Sequence, residues 1–159
     1  MISALGTAHD ASSRWLFVLA GIALCAAVCL YVFEVFMRYA LGAPTTWSGE
    51  AVQYCLAIVI FFALPDITRR SAHVAIDIVP SALPEGPAWM LGRLNATLGA
   101  GACAVAGWIV AGEALRQFDR GLMTNAANPI PRWWITAVIA VGFSSAALHF
   151  LRLGLMRRP

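Results

Sequence analysis

Lysine is absent from this chain, and charge of either sign is scarce: 12% of its 159 residues are charged. The scarcity is also patterned. Residues 15–33, 94–112 and 133–151 contain no Asp, Glu or Arg, and neither do residues 51–65. A soluble domain does not tolerate such blocks beside a hydrophobic fraction of 60% and a mean hydropathy of +0.75. Cysteine is missing from every polar segment, because Cys25, Cys29, Cys55 and Cys103 all lie inside apolar blocks. That placement excludes a disulfide framework or a zinc site and makes them small packing residues. No serine–histidine–acid order, phosphate-binding glycine loop, zinc spacing or pair of catalytic carboxylates is present, so the chain is not expected to be an enzyme.

What is present is length. A hydrocarbon core about 30 Å thick takes roughly 20 apolar residues at 1.5 Å each. Three blocks match, and 51–65 reaches that length when Glu50 and Asp66 lie at the interfaces. The sequence therefore predicts an all-α integral membrane protein, a single membrane domain over 1–159 with spans at about 15–37, 47–67, 89–114 and 132–154. The first helix is expected from Ala11 to Tyr39 with Asp10 as N-cap, and the second from Trp47 with Thr46 as cap and Glu50 in the dipole-favoured first turn. The apolar stretch after Arg14 is too long for a signal peptide and is interrupted by Glu34 and Arg38, so it reads as a retained helix. Trp15, Trp47, Trp89, Trp133 and Trp134 stand at helix starts and Trp108 near a helix end, as interfacial belts require. No internal repeat is evident, which disfavours an inverted-repeat carrier.

Connections 39–46 and 115–131 fall on one side and 68–88 on the other. Val74, Ile76 and Ile78 alternate with His73, Ala75 and Asp77, a strand-like pattern placed at the interface because an open strand edge cannot face lipid. A short surface helix is expected near Pro84. With the N-terminus in the cytoplasm, that side holds Arg14, Arg69, Arg70, Arg93, Arg152, Arg157 and Arg158, against Arg38, Arg116, Arg120 and Arg132 opposite. The positive-inside rule puts both termini in the cytoplasm. The scattered arginines suit headgroups rather than nucleic acid.

Several polar residues have two readings. Glu34 and Arg38, four apart, are either an interfacial ion pair or a partner-facing pair. Glu50 is either a lone dipole-stabilised acid or the partner of Arg38 across the short turn, and the second is expected. The third helix carries small residues at one-turn spacing: Gly92, Ala96, Ala100 and Ala104, with Gly99, Cys103, Gly107 and Ala111 alongside. That ladder serves either internal packing or a partner. His149 alone among the histidines lies in an apolar block; a haem anchor would need a facing partner, and His149 reads as an interfacial or packing residue.

The stretch from Arg38 to Asp77 resembles a known family. Arg38-Tyr39, then Trp47-Ser48-Gly49-Glu50, an apolar helix, Arg69-Arg70-Ser71-Ala72-His73-Val74 and Asp77 occur in the order found in the small membrane subunit of tripartite ATP-independent periplasmic (TRAP) transporters. Four spans and the Pro131-Arg132-Trp133 opening of the last helix agree. Gly49 stands where the family often has an acid, and Phe62-Ala63-Leu64-Pro65 where it commonly has a glycine.

The resemblance implies a non-catalytic scaffold in the bacterial inner membrane for a large multi-helix permease. A periplasmic substrate-binding protein would deliver organic acids, the sodium gradient would drive uptake, and this subunit would hold no cofactor. Arg38, Trp47 and Glu50 would then shape the periplasmic hairpin and its permease contact. Arg69, Arg70, His73 and Asp77 would organise the cytoplasmic band toward lipid headgroups or the partner. The alternative is a membrane anchor for a redox or other enzyme complex, and a third is a self-sufficient small exporter.

Overall fold

The computed structural model of the chain describes residues 2–70 and 85–156. Four helices fill almost all of it: α1 (Ile2–Ala40), α2 (Ser48–Arg69), α3 (Glu85–Asp119) and α4 (Arg132–Met156). Each contains a segment long and apolar enough to cross a membrane. The expected strand-like segment around His73 and Asp77, and the surface helix near Pro84, lie outside the described residues.

Two expected helix starts are corrected. Asp10 is not an N-cap: α1 already runs from Ile2, and the Asp10 carboxylate instead meets Arg152 of α4 at 2.6 Å. A capping preference is a weak local term, and a cation supplied by another helix overrides it. At 1.5 Å per residue α1 is about 58 Å long, well beyond a lipid core about 30 Å thick. Thr46 does not cap α2 either. Trp47 occupies that position with helical backbone and no side-chain cap bond. The nearby hydroxyls of Thr45 and Ser48 are both engaged by Glu34.

α1 packs on α2, α2 on α4, and α4 on α3, so the helices form a row rather than a closed bundle. Among the described residues the buried apolar side chains are small: Pro65 and the alanines Ala20, Ala23, Ala27, Ala96, Ala100, Ala140, Ala146 and Ala147. Large side chains point outward, including Phe17, Ile22, Val28, Val32 and Phe36 on α1 and Leu98, Val105, Trp108 and Ile109 on α3. Lipid tails are as apolar as leucine, so helices gain by close backbone contact through small residues, not by hiding large ones.

The ladder on α3 follows this rule along its α4-facing side. A Cβ on Gly99 would stand 3.1 Å from the Phe150 ring, and one on Gly107 3.0 Å from Ser144 Oγ. Ala96 and Ala100 are buried there, Gly92 and Cys103 half-buried, while Ala104 is exposed.

The tightest approach joins α2 to α4. Pro65 lies inside α2, and proline has no N–H to give the carbonyl one turn earlier, that of Phe61. Gly142 of α4 comes against this same carbonyl, and a Cβ there would stand 2.4 Å from the Phe61 oxygen. Glycine is required because backbone, not a yielding side chain, occupies the space. On the far side of the row, Gly121, at φ +58°, turns the chain out of α3. Backbone bonds from Thr124 N–H to Ile130 O (2.9 Å) and Arg132 N–H to Leu122 O (3.0 Å) then make a tight hairpin into α4.

Gly142→Ala should lower stability by about 1–3 kcal/mol through overpacking. Gly112→Ala, which meets nothing within 4 Å, should be neutral or stabilising. Thermal unfolding of both variants in detergent checks the pair; equal midpoints would refute the close approach.

Candidate functional site

The charged side chains collect at the two ends of the row, and each end is wired across helices. At the end holding the α1–α2 turn, Glu34 is the hub. Its carboxylate accepts from Arg38 Nη2 at 2.7 Å, Ser48 Oγ at 2.8 Å and the Thr45 backbone N–H at 3.1 Å, with the Thr45 hydroxyl as a fourth donor. Arg38 and Glu34 are one turn apart, so α1 itself sets their geometry. Thr45 and Ser48 arrive from the turn and from the first residue of α2. Glu34 thus ties the hairpin together, and it is buried whereas Arg38 is largely exposed. Trp47 packs at 6.4 Å from the Phe33 ring beside it.

The expected pairing of Arg38 with Glu50 does not form. Arg38 is satisfied by Glu34, and both Glu50 oxygens accept from the Ala127 backbone N–H at 3.0 and 3.1 Å. Glu50 therefore bridges the first turn of α2 to the α3–α4 hairpin, a separation of 77 residues that no local spacing anticipates. A second link at this end runs from Thr136 Oγ1 to Gln117 Oε1 at 2.8 Å, and Gln117 Nε2 donates to Glu113, which also pairs with Arg116.

At the opposite end, Asp66 has no solvent exposure and holds two arginines: Arg69 through Nε (2.9 Å) and Nη2 (2.6 Å) on one oxygen, Arg70 through Nε (2.6 Å) on the other. The Arg70 guanidinium lies 5.7 Å from the centre of the Phe17 ring, joining α2 to α1 by a cation–π contact. Asp66 was readable only as the end of a span, yet its spacing of three and four to Arg69 and Arg70 is a helical ion-pair signal. His73 and Asp77, expected to complete this band, lie outside the described residues.

The same end carries a cluster that sequence reasoning missed. His9, Asp10 and Ser13 on α1 meet Ser145, His149 and Arg152 on α4. His9 Nε2 is 3.0 Å from Ser145 Oγ, His149 Nε2 is 2.7 Å from Ser13 Oγ, and Arg152 Nη1 donates to Asp10 Oδ1 at 2.6 Å. The two imidazoles stack with centroids 4.1 Å apart. His149 and Ser13 are almost wholly buried. The only advance signal was periodicity: 145, 149 and 152 share one face of α4, as 9 and 13 do on α1. Among the described residues every buried side-chain polar atom has a hydrogen-bond partner.

Because Arg38 and Glu50 do not touch, the double-mutant cycle of Arg38→Ala and Glu50→Ala should be additive within about 0.5 kcal/mol. Glu34→Ala should lower the unfolding temperature more than Arg38→Ala, since it removes the acceptor shared by Arg38, Thr45 and Ser48 while Arg38 is one donor of several. Thermal denaturation of the four variants measures both; strong coupling between residues 38 and 50 would contradict the geometry.

Polar bonds from Glu50, Gln117, Asp10, Ser13 and His9 join helices and turns to one another, and among the described residues no charged side chain stands at mid-span. Sequence comparison accounts for the same architecture. No curated protein matches the chain. Residues 27–157 match the family described as tripartite ATP-independent periplasmic transporters, DctQ component. That match takes in about the last third of α1 and all of α2, α3 and α4, and with them Glu34, Arg38, Glu50, Asp66 and His149. The chain belongs to the DctQ family, the small permease component of TRAP transporters.

Proposed function

We propose that this chain is the scaffold of a sodium-coupled secondary transporter for organic acids, broadening the static membrane part of a large multi-helix permease. The single observation that supports the reading most is the open row of helices. α1 and α3 are end members, each packed along one neighbour, and both present broad faces of large apolar side chains. Among the described residues the charged side chains stay near the helix ends, several of them bound to one another or to backbone, and none stands at mid-depth to bind an ion or substrate. A carrier needs such a site near the bilayer midplane; a scaffold does not. Sodium and substrate ligands would then belong to the large permease, which a periplasmic binding protein would load.

Orientation in a bacterial inner membrane follows from charge. The end with Asp66 and Asp10 also carries Arg14, Arg69, Arg70, Arg93 and Arg152, whereas Arg38, Arg116, Arg120 and Arg132 at the other end stand beside Glu34, Glu50, Glu113 and Asp119. The basic end is assigned to the cytoplasm, where anionic lipid headgroups reinforce it. The Glu34–Arg38 hairpin and the Glu50-bridged loop are then periplasmic, on the side from which a binding protein would approach. Trp47, Arg38 and Glu50 would border the permease contact there, with Arg69 and Arg70 at the cytoplasmic border.

The competing reading, an anchor for a redox complex, draws on His149 and its neighbour His9. Their rings stack directly at 4.1 Å, whereas paired axial ligands must stand on opposite sides of a macrocycle.

Expressed with its permease, the chain should co-purify as a stable complex, and deleting it should abolish sodium-dependent uptake. Alone in liposomes it should transport nothing. A fluorescent protein fused after residue 159 should fluoresce, and alkaline phosphatase inserted near residue 126 should be active. Uptake that persists without the chain would overturn the scaffold reading; the reversed fusion pattern would overturn the orientation.

A further inference from the structure

We propose that His9, Asp10 and His149 form a binding site for a divalent first-row transition cation that staples the first turns of α1 to α4. One ring nitrogen of each histidine and one carboxylate oxygen of Asp10 lie within 4.8 Å of one another. Two imidazoles and a carboxylate form a borderline donor set that suits zinc, copper or nickel and not the hard cations, which take oxygen ligands. On a tetrahedral zinc ion the ligand atoms stand about 3.3 Å apart, given metal–nitrogen bonds of 2.0–2.1 Å. The two rings lie stacked with centroids 4.1 Å apart, so an ion held by both requires one imidazole to turn out of the stack and aim its in-plane lone pair at the ion.

Three further observations make this a built site. First, the ligands come from two helices that are not neighbours along the row: α1 touches α4 here through its first turns. An ion would therefore join elements that little else connects. Second, each ring has a hydroxyl beside it: Ser145 Oγ lies 3.0 Å from His9 Nε2 and Ser13 Oγ 2.7 Å from His149 Nε2, the kind of support that metal-binding histidines receive from a second group. Third, Asp10 shares only Oδ1 with Arg152, and a carboxylate has a second oxygen for a metal.

Arg152 also limits the site. Its positive charge sits against the carboxylate and opposes a second cation, so affinity is moderate and removing that charge strengthens it. This gives the site a signature that a simple polar latch between helices lacks: a latch is weakened by losing Arg152, whereas the metal site binds more tightly.

The test uses the full chain, purified without a polyhistidine tag and stripped of metal, with Zn2+ as the probe. Isothermal titration and elemental analysis should find one Zn2+ per chain. His9→Ala and His149→Ala should each weaken binding by about ten-fold or more, and Arg152→Gln should tighten it several-fold. Circular dichroism and size-exclusion profiles establish that the variants remain folded. A second measurement needs no variant: Cu2+ bound to the wild-type chain should give an electron paramagnetic resonance spectrum with splitting from two imidazole nitrogens. Failure to take up one equivalent, retention of binding by the His9→Ala/His149→Ala double variant, weaker binding in Arg152→Gln, or a copper spectrum without two nitrogens would each overturn the proposal.

Discussion

The distance at which two helix backbones can meet is the constraint on which this protein rests. In lipid, apolar side chains gain nothing by leaving one hydrocarbon surface for another, so association depends on dispersion contacts between closely placed backbones and on a few polar bonds. The buried alanines of α1, α3 and α4, the Gly99 and Gly107 steps on α3, and above all Gly142 against the Phe61 carbonyl are expressions of that one requirement. Pro65 and Gly142 belong to a single device. The proline deprives a carbonyl of its helical donor, and the glycine lets α4 approach where that carbonyl stands.

Polar interactions then decide how the row is terminated. Ionisable groups are expensive in the hydrocarbon core and inexpensive at its edges, and each edge uses buried carboxylates as collecting points. Glu34 gathers a turn, a helix start and an arginine; Asp66 gathers the two arginines that end α2. Glu50 and the His9–Asp10–His149 group tie segments far apart in sequence. Among the described residues the middle of the membrane is left without a charged side chain. The outward faces of α1 and α3 carry large apolar side chains.

Helix number was legible because lipid thickness imposes a length on every charge-free run, a one-dimensional property. The Glu34–Arg38 pair and the first-turn position of Glu50 were legible for a similar reason: helical spacing converts sequence distance into spatial distance. Family membership was legible from the order of Arg38, Trp47, Glu50, Arg69 and His73. The start of α1, the cap of α2 and the partner of Glu50 were not, because each was settled by a group from a distant segment: Arg152 for Asp10, Glu34 for Thr45 and Ser48, Ala127 for Glu50.

By itself, then, the amino-acid sequence determined that the chain is a four-helix membrane protein with its charges at the helix ends, since hydrophobic length and helical period act locally along the chain. The tertiary structure alone decided the order α1–α2–α4–α3 across the row, the side of the α3 ladder that meets α4, and the meeting of two histidines that stand 140 residues apart. Those outcomes depend on which backbones can come closest, and closeness between helices is a property of pairs of surfaces that no single segment carries.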